Sequence, residues 1–283
     1  FDFRGVVEGF YGEPWTHEQR KKALVLFSDF KFNTYLIAPK NDYNQRINWR
    51  ESLSAEKTQD LNELVQLGKN LDVNVSQSVS PGADISYSDQ SDLEKLIKRF
   101  EQVYDLGVRH LFILWDDIDW ELAHESDKVK FQNIEEAQAF VSNSVAARFP
   151  ECEITVCPMI YWGRGESNHL IELGKYLDRR INLMWTGRQI RSEYLDVIDA
   201  ISFEKQSKRK PFFWDNFPVN NLALRNELHF GPIENRAPDL FLHSRGILAN
   251  PMLQFNSSMV SLFTIGEYLS DPENYNSSKS WEN

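Results

Sequence analysis

The chain has 283 residues, 41% of them hydrophobic, and a formal net charge of -11 at neutral pH. That length supplies one large core, and α/β barrels of this size commonly form a single domain. The acidic balance argues against a phosphate-backbone binder, which needs a basic footprint to displace counterions, so no nucleic acid is expected as a partner.

Strand-like and helix-like patterns alternate through nearly the whole chain. Eight strands are predicted: Phe3 to Gly9, Thr34 to Pro39, Val73 to Ser80, His110 to Asp116, Glu153 to Tyr161, Ile181 to Thr186, Pro211 to Asp215 and Gly246 to Asn250. Alternation of this kind with eight strands predicts a (β/α)8 TIM barrel. The first helix opens on a capping box, Thr16 followed by Gln19, and carries Ala23, Leu24, Phe27 and Phe30 on one face. The next helical faces are Leu61, Leu64, Val65 and Leu71, then Leu93, Leu96, Ile97, Phe100 and Val103. Ile134, Ala137, Val141 and Val145 mark the fourth, followed by Leu170, Leu173 and Leu177, and by Tyr194, Val197 and Ile201. The segment from Asn216 to Asp239 is interrupted by Pro and Gly and reads as a long functional loop after strand seven. A last helix, Ser258 to Leu269, closes the ring. The barrel is thus assigned to residues 1–270. Residues 271–283 form a polar C-terminal tail in which a further helical region could begin.

Functional residues of such a barrel gather where the strands end at its C-terminal face. Strand four ends in Asp116-Asp117, strand one in Glu8-Gly9-Phe10-Tyr11-Gly12 and strand two in Lys40-Asn41-Asp42. Strands five to eight deliver Tyr161-Trp162, Trp185-Thr186, Trp214-Asp215-Asn216 and Asn250. Aromatic faces stack on sugar C–H surfaces and the polar groups hydrogen-bond hydroxyls, so the set suits a carbohydrate. Two adjacent carboxylates in a partly dry cleft cannot both ionise freely, and one is expected to be pushed toward the protonated state. The competing readings of Asp116 and Asp117 are helix caps, turn formers, or a Mg²⁺ site shared with Asp119. His110 reads as a core or strand-start histidine, and Gly163-Arg164-Gly165 lacks the rest of a phosphate loop.

VVEGFYG at 6–12, APKND at 38–42, WDDID at 115–119, WTG at 185–187, WDN at 214–216 and ANP at 249–251 occur in that order. Together they resemble glycoside hydrolase family 84, which contains the O-GlcNAcases and related bacterial N-acetyl-β-glucosaminidases. The resemblance implies a retaining N-acetyl-β-D-glucosaminidase that needs no cofactor or metal and acts on a GlcNAc-bearing protein or glycan. It makes Asp116 the residue that orients and polarises the substrate 2-acetamido group and Asp117 the general acid/base. Gly9, Lys40, Asn216 and Asn250 would contact sugar hydroxyls or the acetamido group. Tyr161 would support an oxazoline intermediate and Trp214 would wall the N-acetyl methyl. The family usually carries an Asn-Asp pair after WDN, whereas Asn220-Asn221 stands here. Asn221 keeps the shape of Asp without its charge, which implies weakened or retuned sugar selectivity. The alternative reading is a catalytically weak or inactive barrel that binds GlcNAc or GalNAc.

Cys152 and Cys157 fall in one predicted strand, roughly 16 Å apart if extended, too far for a disulfide. No apolar run reaches the length of a membrane span, so no membrane partner is expected. The chain opens at Phe1 without Met or a charged-then-apolar leader, as a mature or trimmed fragment would. Compartment is left open, with the cytoplasm favoured, because sequons at Asn74, Asn256 and Asn276 are common by chance and a removed leader leaves no trace. Oligomeric state is not legible.

Overall fold

A computed structural model describes residues 1–282. The elements follow in the order β1 (Phe3–Glu8), α1 (His17–Asp29), β2 (Thr34–Ile37), α2 (Tyr43–Arg46), α3 (Ala55–Asn70), β3 (Asn74–Val79), α4 (Gln90–Asp105) and β4 (His110–Leu114). Next come α5 (Glu125–Lys130), α6 (Ile134–Arg148), β5 (Glu153–Cys157), α7 (Asn168–Tyr176), β6 (Asn182–Trp185), α8 (Val197–Ser207), β7 (Pro211–Asp215), β8 (Gly246–Ala249), α9 (Phe255–Ser270) and α10 (Ser277–Glu282). The eight strands close into a barrel in sequence order, all parallel, with Phe3 paired to Gly246 where β1 meets β8.

All eight strands run where expected, and most end one to four residues sooner than the apolar pattern, because the ladder stops where the backbone turns outward to build the mouth. Most of the helices between strands begin at side chains that accept otherwise unpaired N–H groups. Thr16 and Gln19 form the reciprocal box at α1, and Ser54, Asp89, Asn133, Ser167 and Asp196 cap α3, α4, α6, α7 and α8. The expected inner face of the sixth of these helices is corrected. Asp196 caps α8, so Tyr194 lies outside it, and the stripe facing the barrel is Ala200, Phe203 and Ser207 while Ile201 is half exposed.

Period-two alternation sorts side chains into two cores. Val7, Leu36, Phe112, Met184, Phe212 and Leu248 fill the barrel interior, and a second, larger cluster fills the layer between strands and helices. At the N-terminal end of the barrel His110 is buried, stacked on Phe112 at 4.2 Å, with Nε2 2.6 Å from Thr155 Oγ1. Burial there pushes its pKa down to about 3, so it is a neutral core histidine.

Cys152 and Cys157 are both free thiols. After Ser270 the chain turns and forms α10, which packs on α9, and Tyr275 donates to the Ile233 carbonyl. No helix of the described residues is long and apolar enough to cross a membrane.

Candidate active site

The C-terminal ends of the strands enclose a cavity of about 400 Å³. All nine residues named from sequence line it: Gly9, Lys40, Asp116, Asp117, Tyr161, Trp214, Asn216, Asn221 and Asn250. A larger cavity of about 590 Å³ sits at the opposite end among Lys69, Asp72, Arg109 and Glu153. No strand delivers its C-terminal residues there, so we place the chemistry at the mouth.

The paired carboxylates occupy different surroundings. Asp116 continues the inward-facing row of β4 after Phe112 and Leu114 and is buried. Its Oδ2 accepts from the Lys40 ammonium, while Oδ1 is buried with no protein donor. Burial opposes the charge on Lys40, but the charge and hydrogen bond of Asp116, with the nearby Cys157 and Asp117, together outweigh it and hold the lysine above its ordinary value. The same ammonium lies 5.2 Å from the Trp214 ring.

Asp117 has φ of +57°, a left-handed conformation that Asp tolerates better than most residues. That twist carries its carboxylate toward the mouth, where Tyr11 Oη is 2.5 Å from Oδ2 and Tyr161 Oη is 3.1 Å from Oδ1. The expectation that one carboxylate is driven toward its protonated form is not met at Asp117. Burial does raise Asp117, but the hydrogen bond from Tyr11, the charge of Lys40 and the hydrogen bond from Tyr161 together bring it below the ordinary carboxylate value. Each phenol is correspondingly raised, first by burial and then by Asp117.

The opposite wall is tied together. Trp214 Nε1 donates to Asn216 Oδ1 at 2.9 Å, Asn250 Nδ2 donates to the same oxygen at 2.9 Å, and the Gly9 amide donates to Asn250 Oδ1 at 3.2 Å. A Cβ on Gly9 would fall 2.1 Å from the Trp214 ring, so only glycine lets the indole lie flat against the β1 turn. Asn220 is fully buried and bonds the Glu227 carbonyl and Gln254, leaving Asn221 to face the cavity.

Of the strand-end residues counted with the sugar-facing ring, Glu8, Phe10, Gly12, Asn41, Asp42, Trp162, Trp185 and Asp215 do not line the cavity. Glu8 is fully buried outside the barrel, where Arg20, the Tyr35 hydroxyl and the Trp15 amide hold it. Asp215 pairs with Arg236 at 2.7 Å, and Trp185 packs on Phe203 and donates to the Gly163 carbonyl. Conversely, the mouth includes Thr186 as expected from strand six, but also Cys157, Ile190, Arg191 and Leu222, which carry no role in the sequence reading, and Tyr11, which stood unassigned in the first motif. Burial and the nearby Asp116 charge push the Cys157 thiol up, against the opposing pull of Lys40. Asp119 does not approach the pair as a ligand: among the described residues no three His, Cys, Asp or Glu side chains are grouped to hold a metal.

A family model described as beta-N-acetylglucosaminidase matches residues 4–283. The protein O-GlcNAcases of Rattus norvegicus and Mus musculus are each 33% identical over 271 residues, covering 93% of this chain and 29% of theirs. The chain therefore spans less than a third of the length of these curated relatives. Among solved structures, an O-GlcNAc hydrolase point mutant of Thermobaculum terrenum superposes with a TM-score of 0.98 at 34% identity, covering 99% of this chain and 62% of that one. CpGH84B superposes with a TM-score of 0.90 at 31% identity, covering 100% of this chain and 50% of that one.

Proposed function

From the premise that this chain belongs to the beta-N-acetylglucosaminidase family, glycoside hydrolase family 84, we propose that it is a retaining N-acetyl-β-D-glucosaminidase of O-GlcNAcase type. Its substrates are β-linked GlcNAc groups on Ser or Thr of proteins or on glycans. The observation that carries the reading is the unlike setting of two adjacent carboxylates. Asp116 is buried, paired to Lys40, and presents a free acceptor oxygen; Asp117 stands at the mouth between two phenols.

In this reading Asp116 Oδ1 accepts the N–H of the substrate acetamido group, which raises the nucleophilicity of the acetamido oxygen. That oxygen attacks the anomeric carbon as the glycosidic bond breaks, the leaving oxygen takes a proton from Asp117, and an oxazolinium ion forms whose N–H is still held by the Asp116 carboxylate. Asp117, now a carboxylate, takes a proton from the water that attacks the anomeric carbon and reopens the ring. Both displacements invert, so the product retains its configuration, and no enzyme carboxylate bonds to the sugar. The resting site favours the carboxylate of Asp117, the form used in the second half-reaction. A bound sugar that strips water from this carboxylate raises it toward the acid form needed in the first.

The test is turnover of an aryl β-N-acetylglucosaminide against the matching β-glucoside, with and without a chelator. Fast cleavage of the acetamido sugar alone, indifferent to chelation, supports the reading. Equal rates on both sugars point to a carboxylate nucleophile, chelator sensitivity to a metal, and binding without turnover to a sugar-binding barrel. A second reading, altered hexosamine selectivity, is favoured by Asn221, a neutral amide where the family usually carries a carboxylate.

A further inference from the structure

The short helix α2 ends at Arg46, which does not line the sugar cavity itself. Its Nη1 donates to the Tyr11 hydroxyl at 3.1 Å, and that hydroxyl is the group 2.5 Å from Asp117 Oδ2. A phenol has one proton to give and accepts through its oxygen, so a donor on the oxygen side leaves the proton to point at the carboxylate. Three elements are joined in one directed chain: α2, the turn after β1, and the end of β4.

We propose that Arg46 is a positioning residue for the acid/base: by donating to Tyr11 it fixes the direction in which Tyr11 donates, and so orients Asp117 for proton transfer. The proposal rests on the reading of Asp117 as acid/base. Without Arg46 the phenol is free to rotate and to accept instead, and Asp117 Oδ2 loses a donor whose hydrogen bond is strengthened by an adjacent cation. The charge of Arg46 acts in the same direction, lowering Asp117.

The other groups around Asp117 are fixed contributors that the test holds constant. Lys40 reaches it from the end of β2, and Asp116, Cys157 and Tyr161 from the ends of β4 and β5. Asp84, Asp119 and Glu121 line a neighbouring cavity of about 360 Å³ that opens on the same carboxylate, and Arg191 stands across the mouth. The acidic groups favour protonation of Asp117 and the cations oppose it, so removing one cation shifts the balance in a known direction.

The experiment compares Arg46→Met and Arg46→Lys by the pH dependence of kcat/KM on an alkyl and on a nitrophenyl β-N-acetylglucosaminide. The alkyl leaving group needs a protonated Asp117. Its alkaline limb should move up by about half a pH unit or more in Arg46→Met, as loss of a charge-assisted donor predicts. The limb should return toward the original in Arg46→Lys, whose ammonium can still donate to Tyr11. The nitrophenyl substrate, which needs little protonation, should keep its limb. In a Tyr11→Phe background, Arg46→Met should add only the smaller shift that comes from the direct charge of Arg46. A second readout needs no turnover: the Asp117 carboxyl, followed by carbon NMR in the free protein, should titrate at higher pH in Arg46→Met. An unmoved limb with equal rate losses on both substrates, an unmoved Asp117 titration, or a full shift persisting in Tyr11→Phe would each overturn the proposal. Wild-type protein inactive on both substrates would instead overturn the assigned reaction, while the NMR titration would still decide whether Arg46 controls Asp117.

Discussion

Lys40 donates to Asp116 in the cavity at the barrel mouth, with the two side chains only 4% and 8% exposed. The pair is therefore mutually dependent. Replacing the lysine by Met leaves a buried carboxylate without its counter-ion, and breaking such a pair from one side typically costs about 3–5 kcal/mol. Lys40→Met is expected to unfold at markedly lower urea concentration at pH 7 and to lose at least ~10²-fold in turnover, because Asp116 no longer has a fixed orientation. A urea midpoint within experimental error of wild type would mean that the carboxylate finds another partner and that the pair is not what holds it.

Asp116→Asn and Asp117→Asn should each lower turnover by at least ~10²-fold, since each removes a role realised in the transition state. They should differ in kind. Loss of Asp117 should hurt least with an activated phenol as leaving group and most with an alkyl or peptide aglycone. Loss of Asp116 should hurt all substrates, because every one of them uses the acetamido oxygen. Measured across a series of leaving groups, parallel losses for both variants would contradict the division of labour.

Why these residues were legible while others in the ring were not follows from the pleat. Barrel strands are buried on both faces, so they lack the apolar–polar alternation that would tell inward from outward positions. Once register is known the parity is plain: Val7 faces in and Glu8 out, Met184 in and Trp185 out, Trp214 in and Asp215 out. Glu8, Trp185 and Asp215 look like ligands in sequence because they are polar or aromatic at strand ends, yet they brace the outer layer. The adjacent carboxylates mislead for a related reason. Sequence adjacency shows two charges side by side, whereas the left-handed turn and the phenols from β1 and β5 that separate their environments are tertiary. The start of α1 was legible because its capping box is local. The inner face of α8 was not, because half-exposed Tyr194 and Ile201, in helical spacing with Val197, imitate a core stripe.

The buried histidine at the far end of the barrel makes stability pH-dependent independently of catalysis. His110 titrates at about 3 in the folded protein, against about 6.5 in an unfolded chain. Between those values the unfolded state binds the extra proton, so stability rises with pH. The His110 contribution is complete above about pH 6.5 and is lost progressively as pH falls toward 3, amounting to a few kcal/mol at the acid end. His110→Phe keeps the aromatic packing against Phe3 and Phe112 but cannot protonate, and should flatten the urea midpoint between pH 6.5 and pH 4.5. The substitution also unpairs Thr155, so its absolute stability at pH 7 should be lower by about 1 kcal/mol or more. A variant whose midpoint falls as steeply with acid as wild type would show that the titrating group lies elsewhere.

Asn221 is the position where this chain departs from the pattern of its family, and it lines the cavity while its neighbour Asn220 is fully buried. It precedes a short 3₁₀ turn at Leu222–Leu224, and its side chain makes no cap there, so the amide is free to meet a ligand. In the proposed reading it faces the sugar 4- and 6-hydroxyls. A neutral amide in place of a carboxylate gives up part of a charge-assisted hydrogen bond, on the order of 1 kcal/mol, which corresponds to several-fold weaker binding. The amide also supplies donors that a carboxylate lacks, and so should accept an axial 4-hydroxyl with less penalty. Asn221→Asp is therefore expected to tighten binding of N-acetylglucosamine-type inhibitors several-fold and to raise the ratio of kcat/KM for gluco over galacto substrates. The comparison is internal to one barrel, so a common loss of folding cancels from the ratio. If inhibitor affinity and the gluco/galacto ratio both stay where they are, Asn221 does not touch the sugar, and the loop after β7 serves the aglycone side of the cavity instead.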